Sequence, residues 1–279
     1  MMDGSVVIAG FATIDYVARA DGDFTGRGTL PMRQGADDAW PRPGGAALYA
    51  GAALARAGAK AAPLTWIGDD ADGETYRAAC HAAGLELGGV AVARGAPSTR
   101  CLLIYNADGS YGCLLRPGPW ELTQAQLRLA AAADWLVIAA GPAVALLGLL
   151  DALPPTTRLA WIAKDDPACF PPELVARLTQ RADVMFCNAG ERAWLETGRE
   201  APAPAGQVLF ETRGAAGVRI EAAGEVIALP VSPLDVDDAT GAGDTFAGAA
   251  LAVLIDGGSV RRAAEAGIAA AHALLVSRA

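Results

Sequence analysis

Asp238-Ala239-Thr240-Gly241-Ala242-Gly243-Asp244-Thr245-Phe246-Ala247-Gly248-Ala249-Ala250 is where loop chemistry turns abruptly into an apolar helix. Gly241, Ala242 and Gly243 carry little or no side chain, so their backbone N–H groups can come close to an anion at the start of that helix. Unpaired amides and the helix dipole both favour negative charge there. A carboxylate at Asp244, in the first turn, is favoured in its ionised form and can accept a proton from a hydroxyl. An anion hole and a base therefore lie side by side. Taken alone, the stretch fits equally a capped helix with Thr240 or Asp244 as N-cap and glycines making the turn. It does not fit a dinucleotide fingerprint: the glycines are wrongly spaced for G-x-G-x-x-G, and the preceding Ser232-Pro233-Leu234-Asp235 does not read as a central strand.

Downstream, helical patterns over residues 242–255 and 260–276 carry the chain to Ala279. Immediately upstream, short strands over 207–211 and 217–221 flank Thr212-Arg213-Gly214, a small-residue turn where a nucleotide phosphate or ribose can approach the backbone. Before it, strand 183–187 leads into Asn188-Ala189-Gly190-Glu191. Asn188 and Glu191 are three apart and share a helix face, which fits a capping box or a pair near bound phosphates. Strands over 135–140 and 158–163 alternate with helices over 143–153 and 172–179, a βα rhythm that implies a parallel sheet with right-handed crossovers.

The same rhythm opens the chain. Residues 5–11 form a continuous apolar run ending near glycine, read as a buried parallel strand. Asp15 follows just beyond its C-terminal end, where α/β sheets bind ligands, and its two acceptor oxygens suit a pair of sugar hydroxyls. Residues 21–43 are an excursion rich in Gly, Asp, Arg and Pro, with a weak strand signal around 29–33. Gly44-Gly45 then opens a helix over 46–57, and 61–67 is the next buried strand. The acidic turn Gly68-Asp69-Asp70-Ala71-Asp72-Gly73 precedes a helix over 74–83; its spacing does not match a calcium loop. Residues 98–105 and 110–115 alternate around Asn106-Ala107-Asp108-Gly109, a strong hairpin signal. With the excursion, this hairpin is expected to form a small β layer over the edge of the sheet, as a lid or a dimer surface.

Composition bounds the function. At 279 residues, with neither internal repeat nor linker, the chain reads as one α/β domain. A formal net charge of −9 argues against a nucleic-acid surface. Lys60 and Lys164 are the only lysines, so arginine and backbone amides would carry most phosphate contacts. Cys80, Cys101, Cys113, Cys169 and Cys187 lack C-x-x-C spacing, which suits reduced thiols in the cytoplasm and argues against zinc. His81 and His272 sit in Ala-rich helical segments and are read as structural or solvated. No leader with a cleavage site opens the chain, and its longest strongly apolar run, 143–150, is too short to span a bilayer, so a cytoplasmic protein without a membrane partner is expected.

In order, Asp15, Gly44-Gly45, Gly68-Asp69-Asp70 before Gly73, Asn188-Ala189-Gly190-Glu191, Thr212-Arg213-Gly214 and the 238–244 stretch resemble the ribokinase-like, PfkB-type family of small-molecule kinases over nearly the whole chain. The resemblance implies a three-layer α/β/α sandwich with a mostly parallel central sheet, and a β lid from about 12–43 and 97–118. It implies transfer of the γ-phosphoryl group of ATP, with Mg²⁺, to a hydroxyl of a sugar, cyclitol or nucleoside. Carried over, Asp244 is the base and Gly241, Ala242 and Gly243 the anion hole. Asp15, Gly44, Gly45 and Tyr49 would hold the acceptor. Asn188, Thr212, Gly214 and Thr240 would face the nucleotide, and Glu191 would hold Mg²⁺ through water. A homodimer through the β lid is a further expectation, and a non-catalytic binding protein that keeps the kinase fold is the rival reading.

Three departures bear on the acceptor and the nucleotide. Tyr49 stands where the family often has an asparagine that bonds sugar hydroxyls, which suits a flatter ring such as a cyclitol or nucleoside. Ala163-Lys164-Asp165-Asp166 replaces the usual aspartate at the end of the middle strand, so Lys164 either reaches a phosphate or is a solvated lysine. The chain also stops at Ala279, short of the segment that in many relatives closes the adenine site and gives carbonyls to a monovalent cation. Weak potassium dependence and a more open base site are expected.

Overall fold

The computed structural model describes residues 4–33, 41–107, 110–197, 204–234, 236 and 238–278. The first apolar run forms β1 (Ser5–Ala9), with Val6 and Ile8 entering one core and Val7 and Ala9 another. A strand that is apolar on both faces has to be covered on both. β5 (Lys60–Gly68) and β9 (Trp135–Ile138) flank β1 in parallel. β6 (Val90–Ala93) extends the sheet beyond β5, and β10 (Arg158–Ile162), β11 (Val184–Asn188) and β12 (Val208–Thr212) extend it beyond β9, all in parallel. β13 (Val218–Ala222) and β14 (Glu225–Leu229) finish that edge as an antiparallel pair. The order is β14-β13-β12-β11-β10-β9-β1-β5-β6.

Helices cover both faces. α1 (Ala46–Arg56), α2 (Ala71–Ala82), α7 (Ala242–Ile255) and α8 (Val260–Val276) pack on the side of Val6 and Ile8. α3 (Gln124–Ala132), α4 (Ala143–Ala152), α5 (Pro172–Arg181) and α6 (Ala189–Thr197) pack on the other. The result is the expected three-layer α/β/α arrangement. Among the described residues no helix is long and apolar enough to cross a membrane.

A second sheet joins β2 (Thr13–Ala20), β3 (Met32–Arg33), β4 (Arg42–Gly44), β7 (Arg100–Tyr105) and β8 (Tyr111–Arg116). The hairpin between β7 and β8 has the expected pairing, and Asn106 N–H donates to Ser110 O (2.8 Å). Its Asp108 and Gly109 lie outside the described residues, as do 34–40 of the excursion. Asp15 lies within β2, opposite Arg42 of β4 and Cys101 of β7.

α2 begins at Ala71, a turn earlier than its sequence pattern. Asp70 is its N-cap, accepting from Gly73 N–H (2.9 Å), from Ser98 N–H (2.9 Å) and from the Ser98 hydroxyl (2.6 Å). The acidic turn is therefore a cap tied to the base of the second sheet. β6, β14 and α3 were not expected from the sequence.

α7 is seated by two contacts. Phe246 meets the stacked pair Phe186 and Phe210 edge-on, with ring centroids 6.3 and 6.0 Å away. Gly248 lets α1 approach so closely that a Cβ there would lie 2.2 Å from Ala50 O. The start of α7 is thereby fixed at the edge of the main sheet, facing the second.

Candidate active site

The helix start is built by backbone geometry. Gly241, the residue before α7, has φ 77° and ψ 0°, and Ala242 N–H donates to Ala239 O (3.1 Å). This is a tight turn that needs positive φ at its third residue, which glycine supplies without strain. Gly241 is thus the N-cap, and neither Thr240 nor Asp244 caps the helix with its side chain. The Ala242 amide is engaged in the turn, while space is open beside Gly243. Asp244 follows in the first turn, half-buried. Burial pushes its carboxyl up to about 6, the Lys164 charge opposes the shift, and the Asp15 charge adds to it.

Asp15 is buried against the diglycine. A Cβ on Gly44 would lie 1.9 Å from Asp15 Oδ2, and one on Gly45, at φ 91°, would lie 2.2 Å from Phe11 O. Only glycine at both positions lets the carboxylate and the start of α1 meet. Burial raises the Asp15 pKa, against a hydrogen bond from Thr13 and the charge of Arg42.

Lys164, just past β10, is half-buried and donates to the Tyr111 hydroxyl of β8 (3.0 Å). Burial works against its charge, but the Tyr111 oxygen with Asp244 and Glu191 outweighs it, so the ammonium is held above the ordinary lysine range. It is not the solvated lysine considered above. Glu191 and Asn188 form the reciprocal capping box: Asn188 N–H donates to Glu191 Oε2 (2.7 Å) and Glu191 N–H to Asn188 Oδ1 (2.8 Å). Burial pushes Glu191 up to about 7, while the Asn188 amide and Lys164 pull the other way. Among the described residues no group of three His, Cys, Asp or Glu side chains could hold a metal ion.

The loop ahead of the turn carries a charge network that the sequence did not reveal. Asp238 Oδ1 accepts from Thr240 N–H (3.0 Å), and its Oδ2 lies 2.5 Å from Arg42 Nη2 and 3.5 Å from Arg278 Nη1. Arg278 also donates to Thr240 O and to the Tyr49 hydroxyl (3.1 Å). Tyr49 was expected to offer its hydroxyl and ring to an acceptor. In the structure the hydroxyl accepts from Arg278, and the ring lies where a Cβ on Gly241 would be 2.6 Å away. No local pattern marks these partners, because Tyr49 and Arg278 are 229 residues apart.

The second sheet touches the helix start directly, through the Tyr105 hydroxyl and Thr240 Oγ1 (2.9 Å). Its inner face also brings Cys101 Sγ within 2.9 Å of Cys113 Sγ; that contact lowers the Cys113 thiol to about 7 and raises Cys101. All five cysteines are free.

On the other side of the helix start lies a cavity of about 710 Å³ lined by Thr212, Gly214, Ala242, Gly243, Phe246 and His272, among others. It gathers four of the residues expected near a nucleotide or phosphate. His272, read from sequence as structural or solvated, lines it as well.

A family model described as pfkB family carbohydrate kinase matches residues 3–278. The chain belongs to that family and is a phosphotransferase acting on hydroxyl groups, of the kind that phosphorylates sugars or nucleosides. It is 28% identical over 257 residues to a cytidine kinase of Thermococcus kodakarensis, covering 84% of this chain and 87% of that one. The fold matches ribokinase of Cryptococcus neoformans var. grubii serotype A in complex with ADP (TM-score 0.84, 21% identity, 98% and 94% of the two chains). It also matches the nucleoside kinase of Burkholderia thailandensis in complex with inosine (TM-score 0.75, 20% identity, 95% and 90%).

Proposed function

We propose that this kinase transfers the γ-phosphoryl group of ATP to a hydroxyl of a small sugar-like ring, a sugar or cyclitol or the ribose of a nucleoside. The observation that carries the reading is the position of Asp244: it stands in the first turn of α7, beside the open Gly243 and within the fields of Lys164 and Asp15. The 710 Å³ cavity takes the nucleotide, with Thr212 and Gly214 on one side and Ala242 and Gly243 on the other. The ADP in the solved ribokinase supports that assignment. The acceptor lies against Asp15 and the diglycine, beneath the second sheet acting as a lid.

Asp244 takes the hydroxyl proton as the acceptor oxygen bonds to the γ-phosphorus and the bond to the β–γ bridging oxygen breaks, releasing ADP. The amides at the helix start and the Lys164 ammonium balance the charge on the transferring group, a reaction that asks mainly for positioning and electrostatics. Glu191 would hold a Mg²⁺ ion through water, and that ion would supply further positive charge at the phosphates. The nucleoside branch is favoured by one specific observation, the likeness to a cytidine kinase.

The test pairs a panel of ribose, myo-inositol, cytidine and inosine with ATP and Mg²⁺, reading ADP release, against the variant Asp244→Asn. Loss of about 10²–10⁴-fold in turnover with folding intact is expected. Near-wild-type turnover in the variant would remove Asp244 as the base. Ligand binding without ADP release across the panel would favour a binding protein instead.

A further inference from the structure

The turn at the start of α7 is held from outside by two arginines, and one of them, Arg278, reaches three of its neighbours at once. Arg278 donates through Nη1 to Thr240 O and through Nη2 to the Tyr49 hydroxyl (3.1 Å), its Nη1 lies 3.5 Å from Asp238 Oδ2, and its Cζ stands 5.6 Å from the centre of the Tyr49 ring. Each partner bears on the same few residues. Thr240 precedes Gly241, Asp238 closes on the Thr240 amide, and Tyr49 packs on Gly241 itself.

Two of the partners of Arg278, Thr240 O and the Tyr49 hydroxyl, accept hydrogen bonds from it, and the third, Asp238, is an ion-pair partner. A planar fork of five N–H donors suits them, whereas a lysine ammonium has no comparable plane. The Arg278 side chain is only 15% exposed, so these contacts are shielded from the screening that makes surface ion pairs weak. Asp238 also places a negative charge close to the turn that must receive a phosphoryl group. Arg42 and Arg278 together offset it.

We propose that Arg278 is a positioning residue for phosphoryl transfer: by clamping the Thr240 carbonyl, Asp238 and Tyr49 it fixes the 239–242 turn, and with it the Gly243 and Asp244 amides and the Asp244 carboxylate. The proposal rests on the kinase reading above. It has a further consequence. The carbonyl and carboxylate that would attract a monovalent metal ion at this turn already hold a guanidinium, so turnover needs no such ion.

Wild type and Arg278→Ala are compared in ADP release with the same four acceptors, in potassium chloride and in choline chloride. Wild-type turnover is expected to be equal in the two salts, and a strict potassium requirement would overturn the metal-free clamp. Arg278→Ala is expected to lose about tenfold or more in kcat while KM for ATP stays within about threefold, and to regain part of the loss on adding guanidinium chloride at millimolar concentration. Arg278→Lys should recover little. Tyr49→Phe, which removes one anchor and keeps the ring, should show a smaller loss of the same kind. Wild-type kcat in Arg278→Ala, or a loss that guanidinium does not restore, overturns the proposal.

Amide hydrogen exchange provides a readout independent of turnover. In Arg278→Ala, exchange should quicken in peptides covering 239–246 and stay unchanged in α5. Unaltered exchange at 239–246 overturns the clamp. If the wild type releases no ADP with any acceptor, the kinase reading fails while the exchange comparison still decides the role of Arg278.

Discussion

Asp244 is a carboxylate placed where two effects oppose each other. The dipole of α7 and the Lys164 ammonium favour its charge, while burial, helped by Asp15, disfavours it and wins, leaving the pKa at about 6. A base at that value is largely ionised at neutral pH yet not so weak that it cannot take a proton. The sign of the pH dependence follows: the active form is the carboxylate, so kcat should rise with pH through about 6 and level off above. Glu191, pushed up to about 7, also faces Lys164, and the Asp244 charge adds to its shift. A kcat profile measured from pH 4.5 to 8.5 that stayed flat below 6 would count against Asp244 as the proton acceptor. The position of Asp244 in the first turn of α7 was legible in the sequence because its neighbours are small and its helix is apolar. The partner of the Tyr49 hydroxyl was not legible, because it is an arginine 229 positions away and no local pattern records that.

Whether an element could be read depended on how much of its environment its own residues determine. α7, α8 and the central strands are long or apolar on both faces, so periodicity alone found them. β6 and β14 are short edge strands, half-buried or exposed apart from Leu229, and carry little of that signal. α2 was found with its start displaced, because the side chain that begins it, Asp70, is fixed by Ser98 across the fold. The seat of α7 gives a contrast between two helical glycines. At Gly248 a Cβ would overlap the Ala50 carbonyl at 2.2 Å, backbone against backbone, so Gly248→Ala must push α1 and α7 apart. At Gly148, in α4, the same Cβ meets only Leu122 Cδ2 at 3.3 Å, the end of a side chain that can move. Alanine gains about 1 kcal/mol in helix propensity at either site, and overpacking costs about 1–3 kcal/mol at the first alone. Thermal unfolding should therefore show Gly248→Ala less stable than wild type and Gly148→Ala equal or more stable. Equal midpoints for the two variants would contradict the close approach of α1 and α7.

In the molecule as a whole, the second sheet reaches the main one through Tyr105 to Thr240 and Tyr111 to Lys164, tyrosines that face each other across the β7–β8 pair. Its inner face is thus turned to the site, and its far edge is β8, whose outer side pairs with no strand among the described residues. Proteins usually guard such an edge with charge, proline or a bulge. β8 instead carries Leu114, 65% exposed, at its centre, with a charge only at its end in Arg116. An edge of this kind can be satisfied by a second copy of the same strand, which is self-complementary when two antiparallel β8 strands meet about a two-fold axis. The homodimer expected through the second sheet would use this edge, and would hold that sheet over its own site from outside. Sedimentation velocity at micromolar concentration should find a dimer for the wild type. Leu114→Asp, which places a carboxylate on this exposed strand without touching the core, should shift it to monomer at the same concentration with the thermal midpoint little changed. A monomeric wild type would leave the second sheet with only its inward role, and an undiminished dimer in Leu114→Asp would move the interface to another surface.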